Sequence, residues 1–189
     1  MRLFVATGMS EEIRQRLADV QRSLRRINAR VTWVAPQNFH FTLKFLGETA
    51  EENIGGIQRV LDAVAEEFAP ISCEIRGVGQ FPRVIWAGLH GEVKRLAELA
   101  QRVDSELQKL GFSSEAREFK PHLTLGRIKF VGDKEGLTKV IDSHRNEPFG
   151  ALRVEAIDLF QSTLTPRGSI YTKLFTAHLK GADHGRCQT

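Results

Sequence analysis

Two short runs carry the residue types that do proton chemistry. His40-Phe41-Thr42-Leu43 and His122-Leu123-Thr124-Leu125 each place a histidine two residues before a threonine. In extended backbone, alternate side chains share a face, so His40 and Thr42 point one way while Phe41 and Leu43 point the other. His122 and Thr124 stand the same way over Leu123 and Leu125. A lone run of this kind is most often a histidine satisfied as a structural hydrogen-bonder. Two such runs change the odds: with 6 histidines, 11 threonines and 19 leucines in the chain, chance supplies the pair in roughly 0.05% of shuffled sequences. An imidazole titrates near neutral pH, so one of two facing imidazoles accepts a proton while the other donates one. Flanking hydroxyls donate hydrogen bonds to the oxygens of a tetrahedral anion, which suits phosphorus better than a flat carbonyl.

Other chemistries find less support. A metal site is the competing use of paired histidines, but there is no His-x-His, no His-Glu-x-x-His and no cysteine cluster. A Gly-x-Ser-x-Gly nucleophile turn is missing. So is the Gly-x-x-x-x-Gly-Lys loop that cradles nucleotide triphosphates, and Gly77-Val78-Gly79 reads as a strand bulge or turn. No metal and no cofactor is expected.

The elements that must position these runs repeat along the chain. Residues 2–8 read as a buried strand, and Ser10-Glu11-Glu12 opens a helix with an apolar stripe of Ile13, Leu17, Val20, Leu24 and Ile27. Arg14, Arg16, Arg22, Arg25 and Arg26 lie mostly off that stripe and read as a solvated flank. Strands follow at 31–34 and 39–46, then a helix over 51–68 and a strand over 70–81. From residue 83 the order restarts: a strand to 89, a helix carrying Val93, Leu96, Ala100, Val103, Leu107 and Leu110 before Gly111, and a strand over 121–130. A helix over 133–144 and two long strands, 149–164 and 169–179, complete it. Arg2-Leu3-Phe4-Val5-Ala6 and Arg83-Val84-Ile85-Trp86-Ala87 are offset by 81 residues, and the two histidine runs by 82. An internal duplication follows, with repeat units of about 1–81 and 82–165 in a single domain spanning 1–180, and a flexible tail over 181–189. A pseudo-two-fold axis would bring the runs face to face.

Composition sets the frame. At 189 residues, 41% apolar and 26% charged, the chain is globular and not disordered. No apolar stretch approaches the roughly 20 residues of a membrane helix, and no secretory leader is visible at the start. Cys73 and Cys187 are too few for a disulfide framework, so a cytoplasmic location is expected. A net charge of +4, with 18 arginines against 9 lysines, leans toward phosphate-bearing partners.

The two His-x-Thr-Leu runs, set in Phe39-His40-Phe41-Thr42-Leu43-Lys44-Phe45-Leu46-Gly47-Glu48 and Phe119-Lys120-Pro121-His122-Leu123-Thr124-Leu125-Gly126-Arg127, resemble the two-histidine (2H) phosphoesterases. Within them the chain is most similar to the RNA 2′,3′-cyclic phosphodiesterases, also called 2′-5′ RNA ligases. The resemblance extends through Pro82-Arg83-Val84-Ile85-Trp86-Ala87-Gly88 to Leu164 and the stretch around Tyr171. It implies a bilobal α+β fold, two antiparallel sheets facing a central cleft with helices outside. It also implies a metal-independent enzyme in which His40 protonates the departing ribose oxygen and His122 activates water, leaving a 2′-phosphate end. Reverse 2′-5′ ligation is an associated activity. Thr42 and Thr124 would hold phosphate oxygens, and Arg127 matches a phosphate-contacting arginine. Phe45 matches a nucleobase-stacking position. Strand alternation, however, sends Arg127 away from His122 unless Gly126 bulges, and sends Phe45 to the core. Lys44 and Lys120 share parity with the histidines and would add positive potential. Trp33, Phe81, Trp86 and Tyr171 read as core. His90, His144, His178 and His184 read as surface or structural. RNA ends or small cyclic nucleotides are the expected partners, no membrane is involved, and the protein is expected to act as a monomer. Two other readings stay open: a 2H enzyme on another cyclic phosphate or 2′-5′-linked nucleotide, and a non-catalytic RNA-end binding module, which would not need both proton-transfer groups.

Overall fold

The structure is a computed structural model that describes residues 1–114, 121–166 and 168–181. Lys120, His184 and Cys187, and all of the expected tail beyond Gly181, lie outside the described residues. In chain order the elements are β1 (Arg2–Thr7), α1 (Glu11–Leu24), β2 (Ala29–Trp33), β3 (Phe41–Glu48), α2 (Ile54–Glu67), β4 (Ile71–Phe81), β5 (Val84–Gly91), α3 (Val93–Gln108), β6 (His122–Val131), α4 (Lys134–Ser143), β7 (Pro148–Val154), β8 (Ala156–Thr165) and β9 (Gly168–His178). The strands form two antiparallel sheets, β3-β1-β8-β9 and β2-β6-β5-β4-β7. The α+β architecture of two antiparallel sheets that the resemblance implies is the one observed.

Local chemistry sets the helix ends. Ser10 caps α1 by accepting a hydrogen bond from the Ile13 amide, with Glu11 and Glu12 in the first turn, where the helix dipole favours negative charge. Residues 51–53, read as helix from their sequence, form a single 3₁₀ turn before α2 begins at Ile54. The long strand expected over 149–164 is two strands in different sheets, β7 against β4 and β8 against β1. Its apolar content is continuous, but the chain crosses between sheets at Glu155, whose carbonyl accepts from the Leu179 amide at 2.8 Å. Gly181, expected to fray, donates from its amide to the Phe68 carbonyl at 3.0 Å.

The sheets match strand for strand. β3-β1-β8-β9 corresponds to β6-β5-β4-β7, with β2 added outside β6. Each sheet therefore draws strands from both halves of the chain: β4 closes the first half yet joins β5, while β8 turns back to join β1. The helices exchange as well. α2 packs on β8 and β9 and α3 on β3, covering the first sheet, while α1 packs on β7 and α4 on β4, covering the second. One apolar core runs through both layers, from Leu3, Val5 and Leu61 to Leu123, Leu125 and Val154.

One charge is sealed inside this core. Lys44 is almost fully buried, ion-pairs with Asp104 of α3 and donates to the Ser113 carbonyl at 2.7 Å. Lys44→Met should destabilise the protein by about 3–5 kcal/mol, because the largely buried Asp104 carboxylate then loses its lysine partner, whereas Lys44→Met with Asp104→Leu should recover most of that loss. Urea unfolding of both variants measures the difference.

Candidate active site

The first histidine is fixed from its backbone outward. A 3₁₀ turn over Pro36–Asn38 leads into β3, and Arg14 of α1 holds it by donating to the carbonyls of Pro36 at 2.8 Å and Phe39 at 3.3 Å. Arg14 is thus a structural clamp and not part of a solvated flank. His40 sits just ahead of β3. Its Nδ1–H donates to the Asn38 carbonyl at 2.6 Å, which leaves Nε2 beside the Thr42 hydroxyl at 3.0 Å. Asn38 in turn donates from its amide to the Ser169 carbonyl of β9 at 2.7 Å. The imidazole lies between the Phe4 ring, 4.9 Å between centroids, and the Tyr171 ring, edge-on at 5.3 Å. Burial among these groups lowers the pKa of His40 below the ordinary 6.5; the Asn38 hydrogen bond opposes this, and the positive charge of Arg14 adds to it.

Beyond each threonine the strand carries one extra residue, and this decides what reaches the cleft. Ala6 pairs with Thr42 and Val5 with Lys44, so Leu43 is bulged out of register. At the matching place in the other lobe, Trp86 pairs with Thr124 and Ile85 with Gly126, so Leu125 is bulged. A bulge reverses the alternation after it. Lys44 is thereby turned into the core, and Phe45 emerges with 61% of its surface exposed. Both differ from simple strand parity, which faced Lys44 toward the histidines and Phe45 inward. On β6 the same inversion turns Arg127 back to the side of His122 and Thr124. Gly126 faces the interior, where a Cβ would stand 2.6 Å from Val31 and 2.8 Å from the Trp33 ring.

Each bulge is held by a buried polar group from the helix of the other repeat. The Leu125 carbonyl accepts from the Val34 amide at 3.0 Å and from Gln21 Nε2 of α1 at 3.0 Å, and Gln21 also donates to the Val34 carbonyl at 2.7 Å. On the other side, Asp104 of α3 holds Lys44, the residue just past the Leu43 bulge.

These elements converge on one cleft of about 790 Å³ between the sheets. His40, Thr42, Phe45, His122, Thr124 and Arg127 all line it, together with residues that sequence reasoning did not assign there, among them Phe4, Asn38, Phe81 and Tyr171. Phe81 and Tyr171, read as core, stand at the cleft, each ring edge-on to the histidine carried by its own sheet. Phe81 is edge-on to the His122 ring at 5.5 Å. Trp33 does pack on the core, with the Arg25 guanidinium 5.3 Å over its ring. An alternation pattern read with a bulge after each threonine would have placed Phe45 and Arg127; nothing local would have found Asn38, which acts through its backbone. Among the described residues, no three or more histidine, cysteine or acidic side chains gather as a metal-ligand set, and no helix is long and apolar enough to cross a membrane.

Two imidazoles, two hydroxyls and a guanidinium around one cleft suit an anionic tetrahedral centre. Comparison with known proteins points the same way. The family model of LigT like phosphoesterases matches residues 8–86 and 89–171. A protein from Methanothermobacter thermautotrophicus named RNA 2′,3′-cyclic phosphodiesterase is 35% identical over 179 residues, covering 92% of this chain and 96% of its own. Another so named, from Archaeoglobus fulgidus, is 38% identical over 179 residues, covering 92% of this chain and 98% of its own. A crystal structure from Thermus thermophilus superposes with a TM-score of 0.80 at 30% identity, covering 96% of this chain and 99% of that one. The fold is also that of Escherichia coli LigT, solved with 3′-AMP, with a TM-score of 0.79 at 24% identity over 94% of this chain and 97% of that one. The chain belongs to the LigT-like phosphoesterase family, within the two-histidine phosphoesterases.

Proposed function

We propose that this protein hydrolyses the 2′,3′-cyclic phosphate at RNA ends to a 2′-phosphate, using His40 and His122 as its acid–base pair and no metal. The observation that carries this reading is the convergence of both His-x-Thr pairs, from separate sheets, on a single cleft. Relatives named RNA 2′,3′-cyclic phosphodiesterase that align over nine-tenths of the chain support it.

The chemistry follows from the arrangement. Water attacks phosphorus in line with the bond to O3′; His122 takes the proton that water loses, and His40 delivers one to O3′ as that bond breaks. The 2′-phosphate monoester and a free 3′-hydroxyl result. Because Nδ1 of His40 keeps its proton on the Asn38 carbonyl, the transferable proton resides on Nε2. His40 is neutral at rest, its pKa being lowered, and the arriving phosphate anion favours its protonated, acidic form. Thr42 and Thr124 donate to the non-bridging oxygens, and Arg127 meets the charge that develops there. Phe45 provides a face on which the terminal base stacks.

Residues 1–180 act as one unit, built from repeats of about 1–81 and 82–165, because each sheet needs strands from both. One chain supplies every group named, so the protein works as a monomer on RNA ends or small cyclic nucleotides, in the cytoplasm.

The decisive experiment incubates the purified protein with EDTA and an RNA ending in 2′,3′-cyclic phosphate and identifies the product terminus. A 2′-phosphate is expected at an undiminished rate; zinc-dependent activity or a 3′-phosphate product overturns the mechanism. His40→Ala and His122→Ala should each lower single-turnover hydrolysis by roughly 10²–10⁴-fold while binding of the RNA end falls far less. Arg127→Ala should weaken both. The non-catalytic alternative predicts changes in affinity alone.

A second expectation concerns pH. The folded pKa of His40 lies below its unfolded value, so the unfolded chain binds more protons just below pH 6.5. The stability contributed by neutral His40 is complete above that pH and is lost as pH falls through the folded pKa. His40→Gln should flatten the decline in unfolding free energy below pH 6.5. NMR titration should place His40 below the ordinary value and move it upward when inorganic phosphate is added.

A further inference from the structure

Phe81 ends β4 with 40% of its surface exposed. Its ring is held edge-on to His122 at 5.5 Å and tilted against Trp86 at 5.4 Å. Trp86 is itself seated on Gly79, where a Cβ would come within 2.3 Å of the indole. An aromatic ring propped by a second aromatic ring beneath it and left open to the cleft forfeits part of its burial. Phe45, the other exposed aromatic of the cleft, lies on β3 beyond His40. The cleft thus carries one open aromatic face on the His40 side and one on the His122 side.

In-line displacement assigns these two faces different occupants. The attacking and departing oxygens lie on opposite sides of phosphorus, so the ribose that keeps the phosphate extends toward His40 and Phe45, and the attacking group enters from the side of His122 and Phe81. Water needs no aromatic face. A nucleoside does.

Building on the hydrolytic reading above, we propose that Phe81 is the base platform for a second nucleoside, one that presents its 5′-hydroxyl to His122 in place of water. The 5′-oxygen attacks phosphorus and His122 takes its proton. The bond to O3′ breaks, and His40 returns a proton to O3′. The product is a 2′-5′ phosphodiester, formed from the strained cyclic diester with no external energy source. Cleavage of a 2′-5′ linkage runs through the same site in reverse, with the 5′-nucleoside leaving from Phe81. The cleft of about 790 Å³ lies in the upper part of the roughly 300–1,000 Å³ range of small-molecule sites, in keeping with two nucleosides flanking one phosphate.

The test compares kcat/KM for two reactions, hydrolysis of a cyclic-phosphate-ended RNA and cleavage of a 2′-5′-linked dinucleotide, in wild type, Phe81→Ala and Phe81→Trp. Phe81→Ala should lower dinucleotide cleavage by about ten-fold or more beyond any effect on hydrolysis, the range of one lost base stack, and Phe81→Trp should retain the wild-type ratio. A dinucleotide whose 5′-nucleoside lacks its base should be cleaved poorly by wild type and no worse by Phe81→Ala. Equal loss in both reactions, or loss on Phe81→Ala that persists with the abasic substrate, overturns the platform and leaves the hydrolytic reading standing. So does a wild type that hydrolyses cyclic phosphate but never cleaves the dinucleotide. A wild type that leaves the cyclic phosphate intact overturns the hydrolytic reading and the platform with it.

Discussion

The extra residue just past the threonine in each of two strands organises this protein. Without the bulges at Leu43 and Leu125, alternation would bury Phe45 and turn Arg127 away from the histidine of its own strand. With them, the positions two and three residues past each threonine exchange faces. A bulge disrupts the ladder and leaves a carbonyl or a side chain to be satisfied elsewhere. The fold answers with buried polar contacts, Gln21 on the Leu125 carbonyl and Asp104 on Lys44. The apolar remainder of α1 and α3 supplies the burial that holds these two groups in place.

Those contacts cross the duplication. The helix of the first half supports the His-x-Thr strand of the second, and the helix of the second supports that of the first. Strand exchange repeats the theme, since β4 and β8 each complete the sheet opposite their own repeat. Neither sheet is the product of one contiguous half. The two His-x-Thr strands are coupled through helices and backbone as well as through the cleft they share.

Much of this was legible in the sequence, and the reasons are local. The histidine runs, the apolar backs of β3 and β6, and the amphipathic helices each declare themselves within a few residues, which is why the sequence alone brings together His40, Thr42, His122 and Thr124, all of which line the cleft. Phe45 and Arg127 were placed by resemblance against the simple parity of their strands, since a bulge leaves almost no mark in composition. Lys44 was misread for the same reason: a lysine's burial depends on an aspartate 60 residues away. The single strand expected over 149–164 shows a further limit, because an apolar run does not reveal where it changes partners. Phe81 and Tyr171 read as core because nothing in their spacing requires exposure, and only the assembled sheets show that each ring meets the histidine carried by its own sheet.

The strand exchange also bears on the order in which the molecule can be made. β2, β4, β5, β6 and β7 are all complete by Val154, so the second sheet has every strand it needs while the chain is still being synthesised. The first sheet is different. Leu3 and Phe4 pair with Gln161 and Phe160, and Asn38, which orients His40, is anchored on Ser169. Until the last strands leave the ribosome, β1 has only β3 beside it. A nascent chain therefore holds its second histidine in a finished sheet while the first still waits for its support. The wall of the cleft around His40 closes only with the C-terminal strands.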